Sequence, residues 1–129
     1  MITGFYTGLL GLMLIFLTMR IALRRRKYRV GIGDGGIPDL AQAIRVHGNF
    51  VETVPFLIII LGILELSLVQ PIYLHIFGAA ILLSRLLHAV GLTQSPLLSF
   101  GRKYGIQLSL LLLLIGSACL ICNFILRLI

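Results

Sequence analysis

The chain has 129 residues, of which 59% are hydrophobic and only 12% charged, with a mean hydropathy of +1.09. A soluble domain carries about a quarter charged residues, so the composition excludes an ordinary water-soluble fold and points to one integral membrane unit. The net charge of +7 could suit a nucleic-acid partner, but five of the eleven cations lie in one run, "RRRKYR" (Arg24 to Arg29), directly after an apolar stretch. That placement fits the edge of a membrane span and its anionic lipid, and no soluble module remains to hold nucleic acid.

Four apolar segments, about residues 3–22, 40–68, 72–92 and 102–126, predict an all-α, four-helix transmembrane bundle forming a single domain over 1–129. Each can cross a hydrocarbon core of about 30 Å at ~1.5 Å per residue, and a backbone without water must be helical. In the first span the charges follow the apolar core, the reverse of a cleavable signal peptide. The N-terminus is therefore expected outside and "RRRKYR" inside, in the cytosol. "GIGDGGIPD" (Gly31–Asp39) lacks the Gly-Lys-Ser/Thr ending of a phosphate loop and reads as a flexible cytosolic loop.

The second span opens on "PDLAQ", with Asp39 as N-cap and Gln42 three residues on, a capping-box pattern. The uncharged joint "SLVQP" is placed outside, and Gln70–Pro71 restarts the chain. Pro96 behind Ser95 suits the first turn of the fourth helix. The Arg102–Lys103 pair falls inside with the basic run, leaving Arg127 as the one cation near the outer ends.

The second span carries "RVHGNFVETVP". With Arg45 set at zero and about 100° per residue, Asn49 falls near +40° and Glu52 near −20°, so the three share one helix face. Glu52 lies about 18 Å into the helix. Arg85 and His88, three apart on the third helix, lie in its cytosolic half, and Arg102, Lys103 and Tyr104 open the fourth. Polar groups of three helices thus meet at one depth, where ionisable residues normally face a bundle interior or a wet cavity. Two readings stand. The cation excess fits an anion-binding pocket open to the cytosol, whereas a polar network can also be interhelical glue at about 0.6 kcal/mol per bond.

Other features read more plainly. Gly4-x-x-x-Gly8 is a small-residue packing pattern. Cys119 and Cys122 sit in an apolar helix and suit packing better than redox chemistry. His47 points away from the Arg45 face and His75 lies near the outer end, so the three histidines do not share a metal site. Glu65 lies opposite Glu52, towards headgroups or a neighbouring helix.

Arg45-x-x-x-Asn49-x-x-Glu52-x-x-Pro55 resembles the second-helix signature of the MAPEG family (membrane-associated proteins in eicosanoid and glutathione metabolism), in a bacterial-type form. "SRLLHAVGL", with Arg85-x-x-His88, resembles that family's third helix, and the similarity extends over essentially the whole chain. The resemblance implies a homotrimer that binds glutathione between subunits, open to the cytosol, as cosubstrate of a transferase or peroxidase. The other substrate would be a lipophilic electrophile arriving from the bilayer. Arg45 and Arg85 would clamp carboxylates, Glu52 would take the ammonium, Asn49 would add an amide hydrogen bond, and His88 another donor. Arg102 would hold the thiolate, with Tyr104 as a neighbouring hydroxyl. Two positions depart from the pattern. With Pro96 as anchor, the family's activating arginine falls on Leu98, and Leu92 stands where a tyrosine is expected.

The alternative is a non-catalytic relative that binds glutathione or another small anion, or is purely structural. A small multidrug transporter of similar size would need an acid in its first helix for proton coupling, and residues 3–22 contain neither Asp nor Glu. Compact loops and the short N-terminus suit a bacterial inner membrane.

Overall fold

The computed structural model describes residues 1–94 and 99–126. The expectations placed on Ser95, Pro96, Leu98 and Arg127 lie outside the described residues. Four helices follow in order: α1 (Ile2–Tyr28), α2 (Pro38–Leu66), α3 (Pro71–Gln94) and α4 (Phe100–Leu126). All four are long and apolar enough to cross a membrane.

The first helix runs well past the apolar stretch that predicted its end near residue 22, and takes in most of the basic run. Arg and Lys are good helix formers, and Arg25, Arg26 and Lys27 in the last turn complement the dipole at that terminus. The helix stops where Arg29 turns left-handed (φ 56°) and the Val30 N–H reaches back 3.1 Å to the Arg25 carbonyl. Gly35, at φ +59°, lets the following loop fold onto Val30, whose side chain a Cβ would strike. Asp34 closes the same loop by accepting the Gly36 N–H at 2.9 Å.

The predicted capping box at the start of α2 is not formed. Ile37 is the N-cap without a side-chain bond, and Pro38 occupies the first turn, where its missing N–H costs nothing. Asp39 instead accepts from Arg24 Nε at 2.9 Å and the Tyr28 hydroxyl at 3.1 Å, tying α2 to the end of α1. Gln42 donates from Nε2 to the carbonyls of Leu92 (2.7 Å) and Thr93 (3.2 Å), satisfying the last turn of α3. Tertiary partners have taken both side chains from local capping.

At the opposite end of the bundle Glu65 has a reciprocal task. Its carboxylate accepts the N–H groups of Ile2 (2.6 Å) and Thr3 (2.9 Å), so the last turn of α2 caps the first turn of α1. This realises the neighbouring-helix reading of Glu65.

The second helix packs against all three others, whereas α1 and α4 do not touch among the described residues. The shared core is apolar, built around Leu10, Phe50, Leu57, Leu61, Leu74 and Ile81. Large apolar side chains such as Phe16, Phe56, Leu83 and Leu114 face outward, as a lipid-embedded surface requires. The closest packing is between α3 and α4, whose backbones meet at glycines. A Cβ on Gly91 would overlap the backbone at Gly101 and Arg102, and one on Gly105 would overlap the backbone of His88. Small residues at a crossing let membrane helices approach in this way.

Candidate functional site

The expected site residues are brought to the basic half of the bundle, in three separate arrangements. The most enclosed centres on Arg85, which is 1% exposed. Nη1 donates to Thr53 Oγ1 (2.7 Å) and to the side-chain and backbone oxygens of Asn49 (3.4 and 3.5 Å). Nη2 donates to the Gly105 carbonyl (3.3 Å) and the Ser109 hydroxyl, which bonds Ser84 Oγ at 2.9 Å. A planar guanidinium is suited to this, since its fork reaches α2 on one side and α4 on the other. In the protomer Arg85 thus faces these oxygens rather than an open surface. It is walled in by neutral oxygens and ties three helices together, and Asn49 is engaged with it.

Arg45 and Glu52 form the second arrangement. Two turns apart, they pair at 3.7 Å with side-chain exposures of 64% and 57%. The helical wheel placed them correctly on one face. That face is the open side of α2 in the protomer rather than the bundle interior. A helical wheel fixes the angles between residues but not the direction in which the helix is turned.

His88 and the start of α4 form the third. His88 is 5% exposed, and its Nδ1 lies 3.0 Å from the Arg102 carbonyl. A carbonyl only accepts, so Nδ1 carries the proton. In the neutral ring Nε2 is then an acceptor, where a donor had been expected. That Nε2 is buried and has no hydrogen-bond partner among the described residues. The geometry follows from the glycine crossing, because Gly105 lets α4 lie directly on the His88 backbone. Arg102 is half-buried in the first turn of α4, its backbone N–H held by Ser99 Oγ at 3.3 Å. Tyr104 does not join it. Two residues turn the helix by about 200°, and Tyr104 stacks on Phe100 (4.3 Å between centroids) beneath the Lys103 ammonium, on the exposed side. Leu92 is core, and its carbonyl holds Gln42.

The remaining histidines have local partners: His47 Nε2 lies 3.1 Å from the Thr18 hydroxyl, and His75 pairs with Tyr6, whose hydroxyl donates to its carbonyl at 3.0 Å. Cys119 and Cys122 are exposed on the apolar flank of α4. The sequence reading passed over Arg20, a cation inside the first span that donates to Thr93 Oγ1 at 2.9 Å. Its signal was available: a charge within an apolar helix, one turn before Arg24.

The family model for the MAPEG family matches residues 3–122. The Inner membrane protein YecN of Escherichia coli strain K12 is 36% identical over 91 residues, which is 70% of each chain. The protein of the same name from Escherichia coli O6:H1 matches to the same extent.

Proposed function

The chain belongs to the MAPEG family, and from that premise we propose that it is a glutathione-binding, homotrimeric protein of a bacterial inner membrane, with its basic loops in the cytosol. Its activity would be glutathione transfer to, or reduction of, lipophilic electrophiles or hydroperoxides. The observation that carries this reading is the Arg45–Glu52 pair, exposed on the side of one protomer at a depth where lipid would otherwise meet it. Charges at such depth normally face protein or water. A second protomer laid against α2 would supply that wall and would leave a polar cleft between subunits.

The residues fit the ligand chemically. Glutathione carries two carboxylates and one ammonium. Arg45 can hold a carboxylate and Glu52 the ammonium by charge-assisted hydrogen bonds. His88 Nε2, buried and lacking a donor, can accept an N–H or S–H. Bound glutathione supplies a nucleophilic sulfur, and the Arg102 cation favours its thiolate form, as any nearby positive charge does. Arg85 supports the site from behind by holding Asn49 and the α3–α4 contact.

A second reading, binding without turnover, is favoured by the outward turn of Tyr104 and by Leu92 at a core position. One experiment separates the two. The detergent-purified protein is mixed with glutathione, and its melting temperature and the ultraviolet thiolate absorption are recorded together. Stabilisation with the thiolate band supports the enzyme; stabilisation without it supports the binder. No effect at millimolar glutathione ends both. Glu52→Gln is expected to abolish stabilisation, and Arg102→Leu to remove only the thiolate band.

A further inference from the structure

We propose that the groove between α1 and α3 at the basic end of the bundle is a binding site for an anionic phospholipid, with one acyl chain in the groove and the headgroup phosphate on Arg20. The groove encloses about 380 Å³. Its walls are apolar, formed by side chains such as Phe16, Leu86 and Val90, and its polar groups gather at one end as Arg20, Thr93 and Gln94. No residue of α2 lines it, so it is distinct from the face that carries Arg45 and Glu52.

The shape and charge select an amphiphile. A groove that is apolar along its length and cationic only at its end fits a chain with an anionic head. Arg20 lies about 27 Å along α1 from Ile2, which puts it near the edge of a hydrocarbon core of about 30 Å. Its guanidinium donates to the Thr93 hydroxyl and has no carboxylate partner among the described residues. The neighbouring acid, Asp39, is held by Arg24 and Tyr28.

A second copy of the chain is a poorer occupant. The chain has four acids. Asp39 and Glu52 are ion-paired, Glu65 caps α1, and Asp34 closes its own loop. None stands ready to meet Arg20 on a neighbour, whereas a lipid phosphate brings its own charge.

The test uses the full chain in a neutral detergent and native mass spectrometry, with dioleoylphosphatidylglycerol, dioleoylphosphatidylcholine and glycerol 3-phosphate as probes. The phosphatidylglycerol adduct is expected to dominate over phosphatidylcholine and to raise the melting temperature, with glycerol 3-phosphate ineffective. Arg20→Gln, which can still donate to Thr93, is expected to weaken the phosphatidylglycerol adduct by about fivefold, the effect of one cation at a membrane surface. Val90→Trp, on the exposed groove wall, is expected to weaken it with Arg20 intact. Arg26→Gln removes an exposed cation of the basic run on the same helix and serves as the matched control. Equal losses in Arg20→Gln and Arg26→Gln would mean diffuse surface attraction and overturn the proposal. So would binding of glycerol 3-phosphate alone, or loss of oligomer rather than of lipid in Val90→Trp.

Discussion

Arg85 is a buried cation held by five neutral oxygens, and no carboxylate pairs with it among the described residues. An ion withdrawn from water is stabilised by the hydrogen bonds it makes, and the two terminal nitrogens divide theirs between α2 and α4, while Nε is buried without a partner among the described residues. Lysine would keep the charge but lose the fork, since one ammonium can reach only one side. With roughly three of the five bonds lost at about 0.6 kcal/mol each, Arg85→Lys is expected to cost about 2 kcal/mol. Thermal unfolding in detergent reads this directly. An unchanged melting temperature would show that the charge alone matters at this position. Of the residues that meet Arg85, the sequence had singled out Asn49. It could not distinguish a cation awaiting a ligand from one already surrounded, because the oxygens that surround it belong to Thr53, Gly105 and Ser109, residues with no sequence signal of their own.

At the scale of the helices, the contact that positions the site is the α3–α4 crossing. Gly91 has no glycine four residues away on α3, and Gly101-x-x-x-Gly105 repeats the spacing of Gly4-x-x-x-Gly8 but encloses Arg102, Lys103 and Tyr104, which drew the reading to their chemistry, so only the first-helix pattern was singled out. The structure reverses their importance within the protomer: added Cβ atoms at Gly8 and Gly11 would meet nothing within 4 Å. What hydropathy did reveal was four spans, because apolar length is a property of each segment alone. Asp39, Gln42 and Glu65 escaped the local rules since their partners lie on other helices. The crossing also carries a prediction. Gly105→Ala would drive a methyl into the His88 backbone and push α4 away from the Arg102–His88 bond. Overpacking of this kind typically costs 1–3 kcal/mol, so a loss of about 2 kcal/mol in stability is expected. If the proposed site is correct, glutathione-dependent stabilisation falls further than thermal stability does. Gly8→Ala, made where an added methyl meets nothing in the protomer, is the control expected to leave the protomer's thermal stability nearly unchanged.

At the scale of the molecule, the protomer is apolar both inside and out, and its exposed faces differ in kind. The flanks of α1 and α4 carry side chains that lipid can solvate. The open face of α2 carries Arg45 and Glu52, which lipid cannot. A charged side chain at the centre of a membrane helix costs about 2.5–3.5 kcal/mol on insertion scales, reduced here by the pairing of opposite charges and by the length of the arginine stem. Covering that face removes the cost, so burial of a polar pair, rather than of apolar area, would drive self-association. This yields a sign opposite to that expected for a soluble protein. Replacing both charges, Arg45→Leu with Glu52→Leu, makes the protomer's surface more hydrophobic yet should make the assembly weaker, because lipid then solvates the face as well as a neighbour does. Native mass spectrometry of the wild type is expected to show a species near three times the 14.2 kDa chain, and the double variant to shift towards one. Helical content by circular dichroism should stay the same, since neither side chain contributes to the core. Glutathione-dependent stabilisation should disappear with the assembly. If the double variant assembles as well as the wild type, association is carried by shape along the α1–α2 groove, and the exposed charges serve the ligand alone.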